Sequence, residues 1–82
     1  MLVEVTQEEI GMAKRRSVSH CPIALAIRLV LPDRCVRVKN FICFVDHYCI
    51  PLPAEVRQFI SEFDNGLGVS PFAFTLDWEP EK

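Results

Sequence analysis

Glycine is scarce in this sequence. Three glycines in 82 residues, none in a Gly-rich run, leave no loop whose amides could cradle phosphates in the manner of a P-loop. No cysteine pair has C-x-x-C spacing: Cys21, Cys35, Cys43 and Cys49 stand too far apart for a zinc knuckle. A metal set drawn from these four with His20 and His47 is therefore disfavoured, and no metal or cofactor is expected. No apolar run approaches the roughly 18 residues that a membrane span needs. Internal repeats and low-complexity segments are absent, as is any motif pairing a nucleophile with a base. No cationic segment precedes an apolar run near Met1, so no signal-peptide pattern is present. The expected setting is a reducing cytoplasm, with the cysteines as thiols.

What the chain does have is apolar content. Half its residues are hydrophobic and the net charge is only -2, a balance that argues against disorder and for one small domain. The charge is unevenly spread. Residues 10–44 hold seven bases against one acid, Asp33; the first nine hold three acids, and residues 45–82 hold seven acids against Arg57 and Lys82. Such asymmetry suits an anionic partner at one surface. The alternative is mutual neutralisation of the two parts across the fold.

Pro22 to Pro32 forms the hub. Of the nine residues between these prolines, only Arg28 is not apolar. Leu and Ala predominate and Pro22 suits a first helical turn, so a short helix buried on most sides is expected. Upstream, Leu2-Val-Glu-Val-Thr6 reads as a short strand. Thr6-Gln-Glu-Glu9 is a capping box for a helix running to about Arg16. Beyond Asp33 the period changes to two. Cys35-Val-Arg-Val-Lys39 and Phe41-Ile-Cys-Phe-Val45 read as a hairpin, with Lys39-Asn40 as its turn, Val38 opposite Phe41 and Arg37 opposite Ile42. Asp46-His47 is a second turn, leading to Tyr48-Cys-Ile50. Pro53 starts a helix from Ala54 to about Phe63, ended near Gly66 by a left-handed cap. Alternation from Phe72 to Trp78 marks the last strand. The order β-α-α-β-β-(β)-α-β predicts an α+β domain over residues 1–78, with an antiparallel or mixed sheet, helices mainly on one face, and a polar tail at 79–82.

Val5-Thr-Gln-Glu-Glu-Ile10, Cys21-Pro-Ile-Ala-Leu-Ala26, Ile50-Pro-Leu-Pro53, Phe59-Ile60, Phe63-Asp64, Gly66 and Pro71-Phe-x-Phe74 occur in that order. This series resembles a family of small proteins from actinobacteria and their phages. The chain departs from that pattern at Asp46-His47, where a hairpin glycine would be expected. The resemblance implies a bacterial or phage-infected cytoplasm and brings no activity and no site residue with it.

Three features could carry function. Lys14, Arg15 and Arg16 precede His20, Cys21 and the start of the hub helix; a loop folding back would place cations beside free helix amides, an anion site. The alternative is a solvated basic helix end. Cys21, beside His20 at a helix start, is a candidate nucleophile, against a plain role as a buried or capping residue. Both faces of residues 41–45 are apolar, so Ile42 and Phe44, beside Arg37, would meet either a second copy of the chain or a stacked base. The alternative there is a strand buried on both faces. The favoured reading is a non-enzymatic binding or interaction protein, a homodimer that takes an anionic ligand (nucleotide or nucleic acid) or a host protein. A cysteine-dependent enzyme using Cys21 and a structural subunit of a larger assembly are the alternatives.

Overall fold

The computed structural model describes residues 1–79; the rest of the expected polar tail, residues 80–82, lies outside them. Within this range the α+β class holds. Five strands, β1 (Leu2–Val5), β2 (Val36–Lys39), β3 (Ile42–Val45), β4 (Tyr48–Pro51) and β5 (Phe72–Thr75), are joined by three helices, α1 (Gln7–Met12), α2 (Pro22–Val30) and α3 (Ala54–Asp64). The strands form two antiparallel sheets, one of β1 with β5 and one in the order β2-β3-β4. The pairing is antiparallel throughout, the first of the two expected arrangements, but it is divided between two sheets because β5 returns to the N-terminal strand and leaves the hairpins as a separate meander.

The hub helix links the two sheets, packing on β1, β2, α1 and α3. Cys21 is its N-cap, the thiol sulfur accepting the Ala24 N–H at 3.4 Å, and Pro22 occupies the first turn. Leu31 closes the helix with its N–H on the Ile27 carbonyl at 2.9 Å, and Pro32 cannot continue it. Burial is more one-sided than expected. Ile23, Ala24, Ala26 and Ile27 are enclosed, but Leu25 is half-buried and Leu29 is 68% exposed. Those two lie on the stripe opposite Ile23 and Ile27, as a 3.6-residue period requires.

Two further expectations are corrected. The first helix ends at Met12, not near Arg16, because Ala13 is extended (ψ 158°) and the Lys14 N–H leaves the helix for the His20 carbonyl at 2.8 Å. Its start follows the capping-box pattern: the Glu9 carboxylate accepts the Thr6 N–H at 3.0 Å and the Thr6 hydroxyl at 2.8 Å. The first hairpin is displaced by two residues, pairing Val38 with Cys43 and Arg37 with Phe44. Its turn is Asn40-Phe41, both left-handed at φ 52° and 63°. Asn tolerates that conformation, which a two-residue hairpin turn of this twist requires. A shift of two preserves the pleat, so Val36, Val38, Cys43 and Val45 still share the buried face.

The second turn, Asp46-His47, forms as expected, with Val45 opposite Tyr48. Asp46 takes the left-handed φ of 52° that a glycine would otherwise supply. Its carboxylate accepts the Cys35 N–H and the Arg34 guanidinium, each at 3.0 Å, tying the open end of the hairpin together. The third helix ends in a Schellman motif: Leu67 N–H to Glu62 carbonyl, Gly66 N–H to Phe63 carbonyl, and Gly66 at φ 78°. Phe59 packs on Phe72 with ring centroids 4.7 Å apart, docking α3 onto β5.

Candidate functional site

The candidate site is the outer face of the three-stranded sheet. Alternation along β2 sends Val36 and Val38 inward and leaves Arg37 and Lys39 exposed. The register sets Arg37, Phe44 and Cys49 in one cross-strand row, and Lys39, Ile42 and Pro51 in the next. These two rows carry both bases and no acid. Ile42 and Phe44 are half-buried on this face, and β3 packs chiefly against its sheet neighbours β2 and β4.

A loop extends this face. The Val18 carbonyl accepts the Val38 N–H at 2.8 Å, so residues around Val18 lie along the free edge of β2. Val18 is itself exposed. Beside it lies a cleft of about 330 Å³ lined by Val18, Arg37, Lys39 and Phe44. A second cleft, of about 240 Å³, shares Val18 and Lys39 and reaches Arg16, Phe41, Cys21 and Asp64. The second cleft runs behind the edge of β2, where inward-facing Val38 lines it, and it meets the first at Val18 and Lys39, with Arg16 and Phe41 on one side and Arg37 and Phe44 on the other. Its one carboxylate, Asp64, already accepts the Arg16 N–H at 2.9 Å.

The basic stretch folds back, joined by the Lys14–His20 backbone bond, and Arg16 shares the second cleft with Cys21 at the start of the hub helix, while its neighbours are engaged elsewhere. Arg15 lies over Gly66 at the end of α3, where a β-carbon would sit 3.3 Å from its guanidinium carbon. Arg16, at φ 57°, is held on Asp64. Cations beside a helix C-terminus complement its dipole. The His20 N–H donates to the Ser17 hydroxyl, and its ring Nδ1 bonds Ser19 Oγ at 2.8 Å. Arg28 donates to the Ser19 carbonyl. The amide expected to be free for an anion is used, since Ala24 donates to Cys21 and both Ile23 and Ala24 are fully buried. Lys14, Arg15, Arg16 and His20 are exposed; Cys21 is 4% exposed.

Burial pushes the Cys21 thiol pKa up, outweighing the backbone N–H groups of Ala24 and Ile23 that favour the thiolate. Burial likewise raises Cys43 to about 12. Among the described residues no three His, Cys, Asp or Glu side chains converge to hold a metal ion, and no helix is long and apolar enough to cross a membrane.

Lys39, Val18, Phe41 and Asp64 were not singled out from the sequence. Lys39 could have been, because it continues the alternation that exposes Arg37. Val18 and Asp64 reach the site only through tertiary contacts, for which no local pattern exists. No protein-family model matches the chain, and neither the curated proteins nor the solved structures yield a match.

Proposed function

We propose that this chain is a non-enzymatic recognition module that binds a nucleotide or single-stranded nucleic acid on the outer face of β2-β3-β4. The observation that carries this reading is the cross-strand pairing of Arg37 with Phe44, with Lys39 next along the same face and no acid in either row. Phosphate and base need those two things side by side: a cation for the backbone and an aromatic plane for the ring. A stacked base contributes about 1–3 kcal/mol, and each phosphate neutralised on a single strand adds roughly 0.7 to the salt slope. A thiolate mechanism at Cys21 has the opposite requirement, an exposed thiol of lowered pKa.

The test is fluorescence anisotropy with labelled oligo-dT and oligo-U, with unlabelled mononucleotides as competitors, at low and high salt. Binding is expected to weaken with salt and to be lost in Arg37→Glu/Lys39→Glu. Phe44→Leu, which keeps bulk without an aromatic plane, should weaken it at least about fivefold, the lower end of the stacking range. Binding that ignores both variants, or capture of an acidic peptide with no affinity for oligonucleotides, would overturn the proposal.

A further inference from the structure

The molecule has a second apolar surface, of opposite charge. Leu2, Met12 and Leu29 are 60%, 67% and 68% exposed, and they lie together where β1, α1 and the outer stripe of α2 meet. Two clefts of about 310 and 470 Å³ cross this surface and share Glu8, Glu9 and Leu29. Glu4 lines the larger one. Three carboxylates, Glu4, Glu8 and Glu9, outnumber the one cation, Arg28, along the two clefts; Glu9 bonds Thr6 and Arg28 donates to the Ser19 carbonyl. Glu4 and Glu8 remain exposed on the rim. The result is an apolar groove edged with negative charge.

We infer that this groove docks the basic sheet face of a second copy, so that the chain associates head to tail. Three observations favour that occupant. The groove offers Leu2, Met12 and Leu29 beside Glu4 and Glu8; the sheet face offers Ile42 and Phe44 beside Arg37 and Lys39. Charge and apolar character therefore match in both directions. Pairing either surface with its own copy would set Arg37 and Lys39, or Glu4 and Glu8, against themselves, which disfavours the two-fold dimer expected from the apolar faces alone. The third observation is placement. The buried stripe of α2 faces β1 and β2, and Leu25 and Leu29 lie on the stripe turned away. One copy cannot bring its own two surfaces together, so association grows beyond two copies, either as an open chain or until a ring closes.

Sedimentation equilibrium of the whole chain over a range up to several hundred micromolar tests this. The average mass should rise with concentration and pass the dimer without a plateau. Arg37→Glu/Lys39→Glu and Glu4→Lys/Glu8→Lys should each be monomeric with cooperative melts, because all four side chains are exposed. Mixed in equal amounts, these two variants should associate again, since each supplies the charge that the other's altered face needs. Leu29→Ser provides a second probe of the groove that leaves α1 untouched, and it should weaken association at least tenfold. Wild-type protein that stays monomeric, a mixture that stays monomeric, or a mass that stops at the dimer would each overturn the inference. The Glu4→Lys/Glu8→Lys variant leaves the sheet face intact, so its oligonucleotide binding reads the proposed function separately. Only one arm depends on that function: an oligonucleotide seated on the sheet should dissolve the assembly.

Discussion

Ile27→Ala and Leu29→Ala lie two residues apart on one short helix and should differ sharply in cost. Ile27 is 0% exposed and Leu29 is 68% exposed. Truncating a buried isoleucine costs about 2–5 kcal/mol, part lost transfer energy and part the cavity left behind. A domain of 82 residues has a total stability of roughly 4–12 kcal/mol, taking about 0.05–0.15 kcal/mol per residue. Ile27→Ala should therefore remove a large fraction of the whole. At about 4–8 °C per kcal/mol, a mid-range loss of about 3 kcal/mol lowers Tm by roughly 12–24 °C. Leu29→Ala should stay within about 0.5 kcal/mol, being a surface change to a better helix former. Urea titrations followed by circular dichroism give both values, and an unchanged slope would confirm that stability alone has moved. Equal costs at the two positions, or less than about 1 kcal/mol at Ile27, would refute the placement of this helix, since no packed isoleucine is lost so cheaply.

The cysteines should separate into two classes with a thiol reagent: Cys35 and Cys49 react in the native state, and Cys21 and Cys43 only after unfolding. The burial that raises Cys43 to about 12 also implies a stability that falls as pH climbs through the ordinary thiol range towards that value, because the unfolded chain loses the proton first. At the acid end the sign reverses. The Cys35 N–H, and after it Arg34, hold the Asp46 pKa below the usual carboxylate range, so its contribution is present above that range and fades as pH falls through the lowered value. Asp46→Asn, which keeps a carbonyl for the Cys35 N–H and tolerates the left-handed turn, should be less stable than wild type near neutrality. That gap should close in melts taken in acid; a gap independent of pH would count against the carboxylate's role.

How far the sequence foretold this molecule follows the range of the interactions. Elements marked by local chemistry were legible: Pro22 and Pro32 bracket the hub, Thr6 and Glu9 start α1, and Gly66 ends α3. The first hairpin was legible in its faces but not its register. The alternation of Val36 and Val38 sets which side is buried, whereas the register depends on Asn40 and Phe41 accepting positive φ, and Phe gives little sign of that. The end of α1 is not legible in the sequence, because Lys14, Arg15 and Arg16 suit a helix terminus as well as a loop. The tertiary bond from Lys14 to His20 and the docking of Arg16 on Asp64 decided between them, and neither leaves a periodic trace. The same holds for Val18, which joins the candidate site only because its carbonyl meets the edge of β2.

The two exposed faces have a common origin in how apolar residues and charges are distributed along the chain. Half the residues are hydrophobic, and several large ones stay well exposed, among them Leu2, Met12, Leu29 and Phe41. Apart from Leu67, which is 59% exposed after α3, the uncovered apolar residues gather on two faces. On β3 they fall at half-buried Ile42 and Phe44, directly opposite Lys39 and Arg37, on the face away from buried Cys43 and Val45. On α2 they fall at Leu25 and Leu29, beside an α1 that starts among Glu8 and Glu9. The basic middle and the acidic start of the sequence thus contribute to two surfaces, each an apolar patch on which charge of one sign predominates: Arg16, Arg37 and Lys39 over Asp64, and Glu4, Glu8 and Glu9 over Arg28. Opposite signs on opposite surfaces favour ordered contact with an unlike surface and oppose indiscriminate clumping, because any pairing of like faces meets repulsion. That is the physical reason to expect specific association from a protein that leaves this much apolar area uncovered.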